Sequence, residues 1–334
     1  SASASASGAA SAEPSSSASA TPSAAPTAHP SLAASTSIDA ITVTDVKQTA
    51  TATPEPSASP SATPSVTSWT EPKITFKAPF AIDQTRSKVI KAGTGPAVTD
   101  TSWVNVNYHG VNAYTDKVFD SSYERQAPVQ FNLAGVVPGF KTGLTGKHVG
   151  DRVLIAIPGK DGYDSSGGTP DGSVLVGDTM LFVVDIIDVD YQAPYGTAVA
   201  PKAGLPTVTT DAKGVPSVTI DTAATPPAST VVQPLVAGQG TLKVAAGDTV
   251  ITKYRMYSWK TGKLLLDAYD TGDMSSLGNT LTCLSQGLTG QPIGSRLLIV
   301  CPPATGFPNG APTPSVAAGD TVVFVLDLMF ATPQ

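Results

Sequence analysis

The sequence predicts a mainly β protein of the α+β class, built as two tandem copies of one domain behind a disordered N-terminal tail. Three observations carry this expectation. First, short runs rich in Val, Ile, Thr and aromatic residues alternate with Gly, Asn and Asp punctuation, with very little helical patterning. Second, GDTMLFVVDII at 177–187 recurs as GDTVVFVLDLM at 319–329, and TGLTGKHVGDRVLIAIP at 142–158 recurs as QGLTGQPIGSRLLIVCP at 286–302. Third, residues 1–37 are Ser/Ala/Pro/Thr-rich and cannot bury enough apolar surface to offset ordering entropy.

In chain order, residues 1–37 read as a disordered tether and 38–200 as a first domain with its core at 77–190. A second low-complexity patch at 47–70 separates two alternating segments, 38–44 and 72–77. It reads as a flexible loop between two strands, the alternative being that everything before about Pro72 is linker. Strands are expected around 89–90, 103–108, 129–133, 152–157 and 180–189. The one short helix falls at 138–147, where Pro138 fits the first turn because its missing N–H costs nothing there. A junction at 201–206 leads to the second copy, 205–334, whose entry segment PTVTTDAK loosely matches IDAITVTD.

Composition removes several function classes. The 334 residues carry 20 Lys+Arg against 26 Asp+Glu, a net charge of −6, with no basic cluster, so no nucleic-acid partner is expected. No apolar run is long enough to span a membrane. No start Met or signal segment is present, so the chain reads as a mature or engineered form. The two cysteines, Cys283 and Cys301, could be buried thiols, a disulfide or half of a metal site. With no histidine after His148, a zinc tetrad is not expected. His109 and His148 read as surface or turn residues, and Asp161, Asp164 and Asp171 lack a calcium-loop register.

The richest signal is an ordered set of motifs: NYHGVNAYTDKVFDSSYER at 107–125, FNLAGVVPGFKTGLTGKHVGDRV at 131–153, IPGKDGYDSSGG at 157–168, and the closing strand MLFVVDI. Together they resemble the FKBP family of peptidyl-prolyl cis-trans isomerases over about 77–190. The resemblance implies two FKBP-like half-barrels, each an antiparallel sheet wrapped on one short helix. It also implies an activity that needs no cofactor and no metal. Tyr108, Asp120, Tyr163 and the backbone of Val137 would act on the substrate. Phe119, Arg125, Val129, Val136, Phe140 and Phe182 would bind it, with Phe140 as the floor. The family pattern has Phe where this chain has Val129.

In the second copy, Tyr254 stands for Tyr108, Leu266 is expected in place of the motif phenylalanine, and Asp267 is expected to keep the acid. Leu284 replaces the floor aromatic, Phe307 replaces Tyr163, and Phe324 keeps Phe182, so this copy reads as degenerate. In the FKBP fold the segments holding Cys283 and Cys301 pack together, which implies a disulfide and an oxidising compartment. The resemblance further implies proline-containing polypeptides as partners, together with macrolide inhibitors. It fits a bacterial extracytoplasmic setting, secreted or held by a hypothetical N-terminal lipid anchor. The rival expectation is a non-catalytic chaperone or peptide-binding module of the cell envelope.

Overall fold

The computed structural model describes residues 28–45 and 70–333; the expected tail up to residue 27 and nearly all of the 47–70 loop lie outside them. The strands of the first half are β1 (Thr42–Asp45), β2 (Pro72–Thr75), β3 (Arg86–Lys91), β4 (Trp103–Asn112), β5 (Lys117–Ser121), β6 (Val129–Asn132), β7 (Arg152–Ile157) and β8 (Met180–Val189). Helix α1 (Pro138–Leu144) sits between β6 and β7. After β9 (Gly196–Ala198) the pattern repeats as β10 (Thr207–Thr210), β11 (Pro216–Thr219), β12 (Val231–Gly238), β13 (Thr249–Ser258), β14 (Leu264–Asp267), β15 (Asp273–Ser276), α2 (Thr282–Leu288), β16 (Arg296–Cys301) and β17 (Val322–Thr332).

The first sheet runs β3-β7-β8-β4-β5, with β6 on the other end of β4. The second runs β14-β13-β17-β16-β12-β9, with β15 on β13, so the order is shared and β9 is an addition. β9 precedes the junction expected at 201–206, yet it pairs with β12, so residues 196–198 join the second sheet rather than the first domain.

Each sheet is covered on both faces. On one face lies the short helix, over a core that includes Leu144, Ile155, Ile157 and Ile186 in the first half and Leu288, Ile299 and Leu326 in the second. On the other lies a two-stranded hairpin. The β1–β2 hairpin brings Ile74 onto Leu154, Leu181 and Val183. The β10–β11 hairpin brings Val218 onto Leu298, Val323 and Val325. Covered on both faces, β8 and β17 are apolar at nearly every position rather than alternating.

Each half closes with the same polar lock. Tyr123 donates to Asp185 at 2.5 Å, and Arg152 meets the same carboxylate through Nε and Nη2, both at 2.6 Å. Tyr269, Asp327 and Arg296 repeat this in the second half, with Tyr269 donating at 2.5 Å and Arg296 Nε at 2.5 Å. The arginines also reach the hairpins, Arg152 to Asp45 and Arg296 to Thr210.

Two expectations need correction. Residues 28–37 do not belong to a free tether: Ser35 exchanges backbone hydrogen bonds with Ala81 and Asp83, and His29 stacks on Tyr114 at 3.8 Å while bonded to Asp178. His109 is not a surface residue either. It is buried beneath the hairpin, 2.9 Å from the Glu71 carboxylate.

The halves share one continuous core. Trp103 packs on Phe330, and the Tyr191 N–H donates to the Met329 carbonyl. Buried Asp188 accepts from the Tyr191 hydroxyl at 2.9 Å and from the Thr241 and Leu242 N–H groups, each at 3.0 Å. Burial holds the Asp188 carboxyl above its ordinary value and raises that of neighbouring Asp190 to about 6.

Candidate active site

In the first half the concave face of the sheet, α1 and the loop after β7 enclose an apolar hollow of about 330 Å³. Its floor is an aromatic cluster. Phe140 lies on the buried side of α1, with its ring 5.2 Å from that of Phe182 on β8 and 5.3 Å from Phe131 on β6. Phe119 on β5 meets Phe182 edge-on at 5.4 Å. These perpendicular pairs set ring edges against ring faces, the arrangement the aromatic quadrupole favours.

Two glycines make the packing possible. A Cβ on Gly110 would lie 2.9 Å from the Phe182 ring and 3.0 Å from Phe119, so the residue two after Tyr108 has to be bare for both rings to enter. A Cβ on Gly139 would lie 2.3 Å from Ile157, so glycine lets α1 rest against β7 and lowers Phe140 into the floor.

The rim is polar. The Tyr108 hydroxyl donates to Asp120 Oδ2, and Arg125 donates to Asp120 Oδ1 at 2.5 Å and to the Tyr108 oxygen at 2.8 Å. Arg125 also lies over the Tyr108 ring at 5.6 Å. Burial raises the Tyr108 hydroxyl to about 12, with the hydrogen bond to Asp120 adding to the shift. Burial and the Asp120 charge also push the Tyr163 hydroxyl up. Both phenols are therefore neutral donors near neutral pH.

Two donors at the hollow are free. No acceptor among the described residues takes the Tyr163 hydroxyl or the Val137 N–H. Val137 is the N-cap of α1, with φ −57° and ψ 143°, and the Phe140 and Lys141 N–H groups both point to its carbonyl. A helix start leaves such amide donors without internal partners.

The structure brings together Tyr108, Phe119, Asp120, Val129, Val136, Val137, Phe140, Tyr163 and Phe182 around this one hollow. Arg125, expected to bind substrate, stands outside the lining and holds Asp120 and Tyr108 instead. The sequence reading missed Phe131 and Gly135, which also line the hollow. The signal for Phe131 was present, since Val129 and Phe131 are two apart on β6 and so share a face.

Residues 95–187 match the family described as FKBP-type peptidyl-prolyl cis-trans isomerase. A probable FK506-binding protein of Corynebacterium glutamicum is 36% identical over 98 residues, which cover 29% of this chain and 80% of that protein. The FK506-binding protein of Streptomyces anulatus is 36% identical over 104 residues, 30% of this chain and 83% of that protein. The chain belongs to the FKBP-type peptidyl-prolyl cis-trans isomerases. It is also similar to the FKBP-type isomerase FkpA of Escherichia coli, 38% identical over 104 residues, and there it spans only 36% of the relative's length. All three alignments cover about one FKBP domain, and the family match falls on the first half, around the aromatic hollow.

The second half has a hollow in the same place, about 370 Å³, but its walls differ. Leu284 and Phe307 stand where Phe140 and Tyr163 stand in the first FKBP domain, as the repeat implied. The expected alignment of the acid is one residue out. The Ser122 N–H donates to the Tyr108 carbonyl and the Ala268 N–H to the Tyr254 carbonyl, each at 2.9 Å, which equates Ala268 with Ser122. Leu266 therefore replaces Asp120, Leu265 replaces Phe119, and Asp267 falls on the opposite face, paired with Arg255 at 2.8 Å. A one-residue slip along a strand moves each side chain to the other face. Met256 occupies the position of Gly110 and lines the hollow.

Where the first copy rests Gly139 on Ile157, the second joins Cys283 to Cys301 in a disulfide. The same helix-on-strand contact is van der Waals in one copy and covalent in the other.

Proposed function

We propose that the first hollow catalyses cis-trans isomerisation of X–Pro bonds, and that the chain serves the folding of exported proteins. The observation that carries the reading is a pair of unpartnered donors, the Tyr163 hydroxyl and the Val137 N–H, at the mouth of an aromatic bowl.

The barrier to rotation is lost amide resonance, about 18–20 kcal/mol, and unaided isomerisation takes tens to hundreds of seconds. No nucleophile is required. The planar amide is the more polar and better hydrated form, so a dry bowl favours the twisted one. The proline ring sits on Phe140 and Phe182. The Val137 N–H holds a flanking substrate carbonyl, and the Tyr163 hydroxyl holds the carbonyl of the rotating amide. Asp120, fixed by Tyr108 and Arg125, keeps the rim polar and orders the Tyr108 ring against the floor. Lowering the barrier by about 4 kcal/mol gives roughly a thousandfold acceleration.

The Cys283–Cys301 disulfide supports an oxidising compartment, and so an extracytoplasmic, secreted or lipid-anchored location. The apolar bowl also suits macrolide inhibitors. The test is the isomerisation rate of an apolar-residue–Pro peptide with the full chain. Activity that falls about tenfold or more in Phe140→Ala and drops in Tyr163→Phe supports the reading. A folded chain that binds the peptide without accelerating it makes this a peptide-holding module instead.

A further inference from the structure

The hollow of the second domain is altered in a consistent direction rather than merely eroded. Strand register equates Asp273 with Val129 and Ser275 with Phe131, because Thr252 faces Asp273 as Val106 faces Val129. The wall that is apolar in the first domain thus carries a carboxylate and a hydroxyl in the second. On the opposite wall the change runs the other way, with Leu266 in place of Asp120. The acid has crossed from the rim beside Tyr108 to the far wall, and no arginine has followed it.

Among the described residues Asp273 has no cationic partner. Its carboxylate accepts a hydrogen bond from Ser275 Oγ at 2.6 Å, and no Lys, Arg or His lines the hollow. Thr252, Asn279 and Thr280 add neutral polar groups, the rest of the lining is apolar, with Leu284, Leu266 and Phe324 in it, and the Tyr254 ring packs on Phe324 at 5.8 Å. A lone carboxylate beside apolar and aromatic surface favours a ligand that brings a cation and an apolar group together. The cation offsets the carboxylate's lost hydration and can lie on a ring face.

We propose that the second hollow binds polypeptide segments in which an apolar side chain stands next to a basic one, with Asp273 receiving the ammonium or guanidinium group. It is a recognition site and performs no isomerisation, since the hydroxyl of Tyr163 is missing at Phe307. The proposal is independent of activity at the first site.

The test uses the full chain with isotope-labelled methionine methyls. Met256 lines the second hollow and Met274 follows Asp273, while Met180 belongs to the first sheet and reports integrity. The probes are two proline-free peptides, acetyl-Ala-Leu-Arg-Ala-amide and its Glu counterpart. The Arg peptide should shift the Met256 and Met274 signals at about tenfold lower concentration than the Glu peptide. Asp273→Asn and Asp273→Ser should each erase that preference, and Leu284→Trp, which fills the hollow, should remove the response to both peptides. Equal responses to the two peptides, a preference that survives at Asp273→Asn, or no shift of Met256 with either peptide would overturn the assignment.

Discussion

Leu266 occupies in the second sheet the place that Asp120 occupies in the first, and with it goes the hydrogen bond that orders the tyrosine of the hollow. Tyr108 is tied to Asp120 and Arg125, whereas the Tyr254 hydroxyl has no hydrogen-bond partner among the described residues and feels the charge of Asp273.

All isomerase activity of the full chain should therefore come from the first domain. Phe140→Ala should lower kcat/KM to the background rate rather than to half. A residual activity in Phe140→Ala that a further Leu284→Trp substitution removes would place a second working site at Leu284.

Val129 leaves one wall of the first hollow thin, and Val129→Phe should thicken it. Extra apolar contact of about 1 kcal/mol corresponds to a KM roughly fivefold lower for a substrate with a bulky residue before proline. An unchanged KM across a series of such peptides would mean that this wall does not touch the substrate.

Asp190 lies at the domain junction, its N–H on the Trp103 carbonyl and its Oδ1 buried without a partner among the described residues. Burial lifts its carboxyl from 3.8 to about 6, against the hydrogen bond from Ser102 and the charge of Lys253, which act to lower it. A folded-state value above the unfolded one means that stability is fully present below 3.8 and is lost as pH rises through 6. Asp190→Asn removes that loss. Its thermal midpoint should rise by a few degrees at about pH 7.5 and stay unchanged at about pH 3.5, read by calorimetry.

Cys283→Gly with Cys301→Ile rebuilds in the second domain the contact that Gly139 and Ile157 make in the first. The packing is kept and the cross-link between residues 18 apart is lost. Urea unfolding should show a loss of about 3 kcal/mol, with isomerisation at the first hollow untouched. A smaller loss, under about 1 kcal/mol, would mean that the cross-link adds little to the packing.

The two-copy architecture was legible because the strings that repeat are those the fold cannot alter freely. The helix glycines Gly143 and Gly287 both face a β-strand isoleucine, and β8 and β17 are both buried on two faces. The aromatic hollow was legible for the same reason, since its residues sit in motifs fixed by Gly110 and Gly139. The acid of the second copy was misread because an aspartate, Asp267, stands one residue past the equivalent position: Leu266 lies as far beyond Tyr254 as Asp120 lies beyond Tyr108, and the same irregularity recurs at Gly110–Val111 and at Met256–Tyr257. The locks of Tyr123 with Asp185 and Tyr269 with Asp327 escaped notice because their partners lie 62 and 58 residues apart. β9 was invisible because Gly-Thr-Ala carries no strand signal and becomes a strand only through the free edge of β12.

β9 also fixes how the molecule answers a mechanical load. It is part of the only covalent path between the two halves, and it is zipped into the sheet of one of them from Gly196 to Ala198. A pull between the first half and the second has no slack strap to take up. It must draw the Tyr191 N–H from the Met329 carbonyl and strip Asp188 of its amide donors before the halves can part, while β9 stays on β12 with the second half. Under tension the two described halves answer together rather than as beads on a string.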